Sequence, residues 1–390
     1  MIRVVAVQGY RSLRDLVLPL SQLSVITGAN GSGKSSVYRA LRLLADVAQN
    51  AVVSSLAREG GLSSTFWAGP ETIARSVRQG THPVEALAKR KSASLKLGFG
   101  GDTYGYSIDL GYPPSGPPPT MFWADPRVKR ECLWHGPQYR RAAALVDRRN
   151  NYVWISTTRD EEPLMLTQHL ADTDSMLASI ADPQRAPEML AVREALRGWR
   201  FYDHFRTDAD APARTAQVGT FSPILHEDGR NLAATLQTIR EQQQDDLLDK
   251  TIEDAFPGSQ LLIDAGGGRF EVQLQQHGLL RPLSAAELSD GTLRYLLWTA
   301  ALLTPRPPEL MVLNEPETSM HPDLLPALGR LILAAAKKTQ IIVVSHSQQL
   351  IEALTAAEIC IRLHLLKSFG ESTLEGVTLF DKAKWSWPAR

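Results

Sequence analysis

The stretch "GANGSGKS", residues 28–35, decides the fold. It fits the pattern G-x-x-x-x-G-K-[ST], with the apolar run "LSVIT" before it and apolar residues at helical spacing after it. Glycines let backbone N–H groups curl round phosphates, and a helix N-terminus adds partial positive charge. Lys34 would then reach the β- and γ-phosphates of a nucleotide, and Ser35 would hold Mg²⁺. The pattern predicts a nucleotide-binding strand, loop and helix.

The last third of the chain alternates between helical and extended patterns. The predicted helices cover residues 293–303, 324–336 and 349–356, and the predicted strands cover residues 310–313, 340–345 and 358–363. A hairpin is expected in "QLLIDAGGGRFEVQLQQHG" just before this region. Such an alternation is typical of an α/β fold with a parallel sheet.

The first two thirds of the chain contain more strands than helices. We expect a strand, a turn and further strands over residues 3–27, and two antiparallel strands around a Gly-Gly-Asp turn over residues 92–110. Residues 121–155 read as further strands and residues 164–199 as mostly helical. Another helix is expected to start within residues 229–256, with Asn231 as its N-cap, and the proline-rich residues 113–119 are expected to form a rigid exposed loop.

The composition excludes several classes of protein. Lysine plus arginine and aspartate plus glutamate each number 42 among 390 residues, so no global field draws the chain to nucleic acid or membrane. The two cysteines provide neither a disulfide framework nor a metal-binding spacing. No signal sequence and no apolar run of membrane-spanning length is evident, so we expect a cytoplasmic protein without a membrane partner.

Three more motifs follow the phosphate loop: "ELSDGTLRYL" (residues 287–296), "LMVLNEPETSMHP" (310–322) and "IIVVSHS" (341–347). In this order the four motifs resemble those of the RecF/SMC-type ABC-class ATPases, and in particular the compact bacterial ATPases grouped with RecF and the OLD proteins. The opening "VQGYRSLRDLVL" is similar to the first hairpin of that family. The resemblance covers about the first 50 residues and the last third of the chain.

The resemblance implies an α/β fold: an ABC-type P-loop head with a mixed or parallel sheet, an antiparallel β subdomain and a helical lobe. The expected divisions are an N-terminal ATPase lobe (1–110), an inserted β-rich and helical lobe (111–256) and a C-terminal ATPase lobe (257–390). The glutamine that links the γ-phosphate to the helical lobe in this family has two candidates, Gln138 and Gln168.

The resemblance also implies ATP and Mg²⁺ as ligands and an ATP-dependent homodimer. Ser289 and Gly291 would bind the γ-phosphate on the partner protomer, with Asp290 at a position that varies in the family. His346 would sense the γ-phosphate. The predicted nucleotide-binding residues are Gly28, Ala29, Asn30, Gly31, Ser32, Gly33, Lys34, Ser35, Ser36, Ser289, Asp290 and Gly291.

The strand that ends in "LNEPE" raises a question about catalysis, because Asn314 stands where the family has a carboxylate. Glu315 is placed to act as the base that orients the attacking water. Asn314 keeps an oxygen that can accept a hydrogen bond from a water bound to Mg²⁺, but it lacks the charge. Three readings compete: slow hydrolysis with Glu315 as base, with or without Glu317, a nucleotide sensor, and normal turnover. We expect a competent ATPase whose turnover is slow or normal, with Lys34, Glu315 and His346 as its catalytic residues and Ser35 and Asn314 at the metal.

A basic segment at residues 127–154 suggests a surface for DNA. Its seven lysines and arginines outnumber its two acidic residues, and four tyrosines and tryptophans are interleaved. Basic groups neutralise phosphates and aromatic rings stack on bases. The alternative is that strands place the aromatic rings in the core and the arginines in solvent.

Two functions are therefore open. The first is a DNA-associated ATPase of repair, recombination or anti-phage defence. The second is an ATP-dependent switch that gates a partner nuclease, toxin or other effector protein without binding DNA directly.

Overall fold

The fold was examined in a computed structural model that describes residues 1–69, 94–113, 121–156, 162–242, 246–376 and 384–389. Two compact units divide the chain. The first comprises Met1–Ser21, Thr27–Trp199 and Leu363–Arg390, and the second comprises Gln22–Ile26 and Arg200–Arg362. The predicted proline-rich loop lies outside the described residues except for Pro113.

The strands, in chain order, are β1 (Ile2–Tyr10), β2 (Leu13–Pro19), β3 (Leu23–Gly28), β4 (Ser94–Gly101), β5 (Tyr104–Gly111), β6 (Arg127–His135), β7 (Ala144–Arg149), β8 (Tyr152–Ile155), β9 (Leu164–Thr167), β10 (Arg200–Tyr202), β11 (Gln217–Val218), β12 (Gln260–Asp264), β13 (Arg269–Gln275), β14 (Leu283–Ser284), β15 (Leu310–Asn314), β16 (Gln340–Val344), β17 (Cys360–Ser368) and β18 (Glu371–Leu374).

The described helices are α1 (Lys34–Val47), α2 (Val52–Arg58), α3 (Leu62–Thr65), α4 (Met176–Ser179), α5 (Pro187–Gly198), α6 (Leu232–Gln242), α7 (Leu247–Ala255), α8 (Asp290–Leu302), α9 (Leu325–Ala335) and α10 (Gln348–Thr355). Short 3₁₀ turns lie at Arg141–Ala143, Pro212–Arg214, Gly266–Gly268 and Pro322–Leu324. None of the helices in these ranges is both long and apolar enough to cross a lipid bilayer.

An antiparallel sheet forms most of the first unit, with strand order β2-β1-β4-β5-β6-β7-β8-β9. The predicted opening hairpin is confirmed, because Tyr10 pairs with Leu13 across its turn. The predicted strand pair at residues 92–110 is confirmed too, since Ser94 pairs with Gly111. Apolar side chains on the inner face of these strands, such as Leu95 and Leu97, are fully buried.

The expectation of mostly helical structure at residues 164–199 is wrong at its start. Leu164–Thr167 is strand β9, which pairs antiparallel with β8, and only α4 and α5 are helical. Four residues are too few to show a two-residue alternation clearly, and the strand forms because β8 offers it an unpaired edge.

The second unit contains a parallel sheet in which β10, β15, β16 and β3 are neighbours. Every residue of Leu310 to Leu313 and of Ile341 to Val344 is buried, as expected for parallel strands covered on both faces. Helices α8, α9 and α10 contribute to the apolar core of this unit. The predicted closing alternation of helices and strands is confirmed, and so is the hairpin, formed by β12 and β13.

The helix predicted with Asn231 as its cap begins at Leu232, directly after that residue, as α6. It ends at Gln242, and α7 begins at Leu247. The carboxamide of Asn231 contacts the preceding loop: its nitrogen donates to the Ile224 carbonyl oxygen and its oxygen accepts from the His226 N–H.

The two compact units are defined by contacts in space, and each contains more than one stretch of the chain. The expected lobes 1–110, 111–256 and 257–390 were instead defined by the order of the motifs along the chain. The division into three lobes stays a prediction.

Candidate functional site

The phosphate loop of the first unit joins the end of β3 to the start of α1. Gly28 and Gly33 have φ angles of 147° and 108°, which favour glycine. Space also requires glycine at both positions. A Cβ on Gly28 would lie 2.4 Å from the Leu365 carbonyl oxygen, and a Cβ on Gly33 would lie 2.2 Å from Ser372 Oγ. The loop therefore has the backbone path that its glycine pattern predicted.

Strands β17 and β18 support this loop from the side. Ser372 Oγ donates to the Ser32 carbonyl oxygen at 2.6 Å and is hydrogen-bonded to Ser12 Oγ at 2.8 Å. His364 Nδ1 is 2.8 Å from Thr27 Oγ1, one residue before the loop. Sequence reasoning missed these contacts, because no motif marks a serine that lies 340 residues from its partner.

Lys34 lies inside the loop, with a buried side chain. Its Nζ donates to the carbonyl oxygens of Gly28 and Ala29 at 2.7 and 3.2 Å. Ser35 follows on the first turn of α1 and is exposed. The first N–H groups of a helix have no partner within the helix and carry partial positive charge. The loop thus combines an ammonium group, free N–H donors and an exposed hydroxyl, which suits a phosphate chain and its metal.

The carboxylates after β15 belong to the second unit. Glu315 has φ 47°, a left-handed conformation that is unfavourable for a side chain larger than glycine's, and its N–H donates to the Val344 carbonyl oxygen at 2.8 Å. Its side chain is 40% exposed and can meet a ligand in solvent. Strained residues of this kind cluster at functional sites.

Glu317 is different, because its side chain is buried and its Oε1 is fully engaged. That oxygen accepts from Ser345 Oγ at 2.7 Å and from the N–H groups of His346 and Ser347 at 2.8 and 3.0 Å. These bonds fix the loop that follows β16. Glu317 is therefore a positioning residue.

The same arrangement brings Glu315 and His346 together. His346 Nδ1 lies 3.6 Å from Glu315 Oε1 and 3.4 Å from Glu317 Oε1. The imidazole is about half exposed, so it can contact a ligand and a carboxylate at once.

Asn314 has a partner that sequence reasoning missed. Its Nδ2 donates to Asp203 Oδ1 at 2.7 Å. Asp203 follows β10, which runs parallel to β15, and the carboxyl ends of neighbouring parallel strands meet at one edge of a sheet. The only signal in the sequence is an acidic residue directly after the short apolar run "FY".

The loop before α8 contains the predicted signature residues. Ser289 caps this helix, since its Oγ accepts from the Thr292 N–H at 3.2 Å. Ser289 and Asp290 are exposed and Gly291 is partly exposed, so this end of the helix can be reached from solvent. The arrangement agrees with a helix N-terminus that faces an anion.

Arg214 shapes this loop and was not foreseen. Its side chain is largely buried; Nη1 donates to the Ala285 and Leu288 carbonyl oxygens at 2.9 and 2.8 Å, and Nη2 donates to Asp290 Oδ1 at 2.7 Å. Nε donates to the Thr207 carbonyl oxygen. Asp290 thus has a contact within its own unit, which explains why an aspartate fits this position.

The basic segment at residues 127–154 in the first unit is mostly neutralised. Its ion pairs are Arg127–Asp172, Arg130–Asp147, Arg149–Asp147 and the fully buried Arg148–Glu131. Trp134 is buried, whereas Tyr152 and Trp154 stack with ring centroids 5.6 Å apart. The alternative reading, with the aromatic rings in the core and the arginines in solvent, does not hold throughout, because Arg148 is buried and Tyr152 is exposed.

Arg140 and Arg141 are the exposed cations of this segment for which no ion pair occurs within the described part of the chain. DNA binding by the segment stays a prediction and now rests on these two residues and the stacked aromatic pair. Gln138 and Gln168 both remain candidates for the glutamine of the resemblance.

The hydroxyl of Ser35 in the first unit and the carboxamide oxygen of Asn314 in the second unit are oxygen groups of the kind that Mg²⁺ prefers. In the described ranges no group of three or more histidine, cysteine, aspartate or glutamate side chains could hold a metal by itself. Mg²⁺ keeps several waters and binds through few carboxylates plus substrate phosphates, so it does not need such a group. The Oδ1 atom of Asn314 is buried and has no hydrogen-bond partner in the described structure, as expected for an acceptor that meets a donor from a ligand.

Comparisons with known proteins agree with this description. A family model described as "AAA domain, putative AbiEii toxin, Type IV TA system" matches residues 23–113 and 173–352. A search of curated proteins found no match in sequence.

Two solved structures have a similar fold. One is an SMC head bound to the C-winged helix domain of ScpA, with TM-score 0.51, 14% identity and coverage of 97% of this chain and 98% of that chain. The other is an SMC head with an extended coiled coil bound to the C-terminal domain of ScpA from Pyrococcus furiosus, with TM-score 0.52, 13% identity and coverage of 97% and 96%. At this identity the likeness shows the fold alone: the mixed α/β fold of an ABC-ATPase head.

Proposed function

The chain belongs to the AAA-domain family whose description names a putative AbiEii toxin of type IV toxin–antitoxin systems, as an ABC-class ATPase of RecF/SMC type, and we propose that it binds ATP with Mg²⁺ and hydrolyses it. The observation that carries this proposal is the phosphate loop. Its two constrained glycines, buried Lys34 and the N-terminus of α1 form a cradle for a polyphosphate.

Hydrolysis needs a base that takes a proton from water as its oxygen attacks the γ-phosphorus and the bond to the bridging oxygen breaks. Glu315 takes this role in the proposal, because it is exposed whereas the Oε1 of Glu317 accepts three hydrogen bonds. His346 would contact the γ-phosphate beside Glu315, whose Oε1 lies 3.6 Å from His346 Nδ1. Lys34 neutralises the charge that develops on the phosphates.

Ser35 would hold the metal through its hydroxyl, and the Asn314 carboxamide would accept a hydrogen bond from the hydrated metal. When bound, Mg²⁺ neutralises phosphate charge and orients the β- and γ-oxygens. Asn314 carries no charge of its own, so slow turnover and a sensor role remain alternatives to normal turnover.

The catalytic proposal is tested with two variants and one matched control. Lys34→Ala is expected to abolish binding of a fluorescent ATP analogue. Glu315→Gln is expected to keep binding and lose hydrolysis by at least about a hundredfold. Glu309→Gln makes the same chemical change at an exposed residue at the other end of β15 and should hydrolyse ATP like the parent. Parental hydrolysis by Glu315→Gln would overturn the assignment of the base.

ATP is further proposed to hold two copies of the chain together. The exposed Ser289 and Gly291 would bind the γ-phosphate held by the partner, so the contact depends on the triphosphate. Light scattering of Glu315→Gln is expected to show a dimer with MgATP and a monomer with MgADP. Ser289→Arg should prevent this dimer, and Ser284→Arg is a control at the other end of the same loop. Only monomers of Glu315→Gln under MgATP would contradict the dimer.

The ATP-dependent contact is proposed to act in defence or genome maintenance, and two routes are open. Direct action on DNA is supported by Arg140, Arg141 and the stacked pair Tyr152–Trp154. Action on a partner effector protein is supported by the family description and by the ion pairs that neutralise most of the basic segment.

The two routes are separated by adding duplex DNA at low salt. Stimulated hydrolysis that is lost in Arg140→Glu/Arg141→Glu would support the DNA route. A parent chain that neither binds DNA nor is stimulated by it would favour the partner protein. The control is Arg193→Glu/Arg197→Glu, which reverses two charges on α5 in the same unit.

A further inference from the structure

We propose that Asp203 and Asn314 act as one hydrogen-bonded acidic unit that supports the hydrated Mg²⁺ of the bound nucleotide. In this unit Asp203 supplies the negative charge that Asn314 lacks, and Asn314 supplies the oxygen that accepts from a metal-bound water. The proposal rests on the proposed function, since it concerns the metal that accompanies ATP.

The first argument is the sheet register. Tyr202 of β10 pairs with Leu313 of β15 in parallel, and both Asp203 and Asn314 follow this pair by one residue. The two side chains therefore leave the sheet at the same edge, the edge at which α/β proteins bind ligands. This placement is fixed by the backbones of two buried strands.

The second argument is the orientation of the Asn314 amide. An ionised carboxylate can only accept hydrogen bonds, so the amide must turn its Nδ2 towards Asp203 Oδ1, at 2.7 Å. Its Oδ1 must then point away from Asp203. That oxygen is buried and has no partner in the described structure, so it needs a donor. A metal-bound water is a strong donor, and its protons are attracted by the nearby carboxylate.

The third argument concerns the surroundings of the Asp203 side chain. The side chain is exposed, and within the described ranges it forms no ion pair. The next arginine along the chain, Arg206, is paired with Asp208 at 2.7 Å. The carboxylate of Asp203 therefore lies next to the Asn314 amide without an ion-pair partner in the described ranges.

The pair could instead serve only to hold β10 against β15. A structural role would change the stability of the metal-free protein, whereas a metal role would change the dependence on the divalent ion. Moving the negative charge from position 203 after β10 to position 314 on β15 therefore separates the two roles. A metal role predicts that the affinity for the divalent ion is kept, whereas a structural role makes no such prediction.

The test measures Mn²⁺ binding by electron paramagnetic resonance in the presence of a non-hydrolysable ATP analogue. Asp203→Asn should weaken Mn²⁺ about tenfold or more, because removing an outer-shell partner typically costs 10–100-fold in metal affinity. The double variant Asp203→Asn/Asn314→Asp moves the charge to the other strand and should restore binding to within about threefold. Asp210→Asn, at an exposed carboxylate in the same segment, is the matched control and should bind like the parent.

Two results would overturn the proposal: parental Mn²⁺ affinity in Asp203→Asn, or a double variant no better than that single variant. Binding of the analogue with EDTA checks that each variant is folded and holds nucleotide. If the parent bound Mn²⁺ with the analogue no better than Lys34→Ala, the proposed function itself would fail, which is a different outcome from an unaffected Asp203→Asn.

Discussion

The carboxylate of Glu317 accepts a 2.8 Å hydrogen bond from the main-chain N–H of His346, so an acidic residue after β15 sets the position of the histidine after β16. Two residues earlier, Glu315 directs its carboxylate to within 3.6 Å of the same histidine ring. The motif "EPE" therefore separates two tasks: the first glutamate faces solvent and the second holds the neighbouring loop.

Replacing Glu317 by alanine should destabilise the protein by about 3 kcal/mol, because two main-chain N–H groups and one hydroxyl lose a buried, charged acceptor. Glu317→Gln keeps an acceptor oxygen and should cost about 1 kcal/mol. Urea unfolding measures both. Equal costs would show that the hydrogen bonds to Oε1 do not anchor the loop.

Replacing Glu315 by glycine should leave the free energy of unfolding unchanged or raise it by up to about 1 kcal/mol, while hydrolysis is lost. The left-handed φ of 47° strains a glutamate, and glycine relieves this strain at some cost in unfolded-state entropy. Glu309→Gly, where φ is not positive, should lower stability instead. A clear loss of stability in Glu315→Gly would contradict the strain.

The motifs made the phosphate loop and the loops after β15 and β16 predictable, because each is a local pattern with a fixed structural context. The parallel sheet was predictable for the same reason, since its strands are continuous apolar runs. Asp203, Arg214 and Ser372 were not predictable. Each acts on a residue between 76 and 340 positions away along the chain, and their contacts depend on strand order and loop path.

The burial of Arg148 was not predictable either. The residue lies in a charged run of the sequence, yet its side chain is completely buried in the structure. Its guanidinium binds Glu131 Oε2 at 2.7 Å and the Ala171 carbonyl oxygen at 2.7 Å. Arg148→Ala should cost about 3–5 kcal/mol, because Glu131 is left buried and unpaired. The adjacent, half-exposed Arg149→Ala should cost less than about 1 kcal/mol. Chemical denaturation compares them, and similar costs would argue against the buried pair.

Arg214→Ala should disturb the loop before α8 far more than Asp290→Ala. Arg214 holds the Ala285 and Leu288 carbonyl oxygens, whereas Asp290 contributes one exposed bond to Arg214. We expect Arg214→Ala to abolish the proposed ATP-dependent dimer of Glu315→Gln and Asp290→Ala to weaken it less than tenfold, as measured by light scattering over a concentration series. If dimerisation is unchanged in both variants, the loop before α8 does not take part in the dimer contact.

The two thiols should be inert in the folded protein at ordinary pH. Burial raises the pKa of Cys132 to about 12 and the pKa of Cys360 to about 11. In the unfolded chain a thiol ionises near pH 8.5. Reaction with a disulfide reagent at pH 8 should therefore be slow until urea is added. Because the unfolded chain loses these protons first, the free energy of unfolding should fall as pH rises above about 8.5. Fast reaction of the folded protein would contradict this burial.

The bond from Ser372 to the carbonyl of Ser32 has a consequence for how the protein is made. The ribosome synthesises the glycine-rich turn some 340 residues before the hairpin that supports it. A nascent or prematurely released polypeptide thus lacks the lateral brace of its phosphate cradle. This support is in place only after β18 has been synthesised, so we expect a polypeptide that ends before β18 to bind nucleotide more weakly than the chain that includes it.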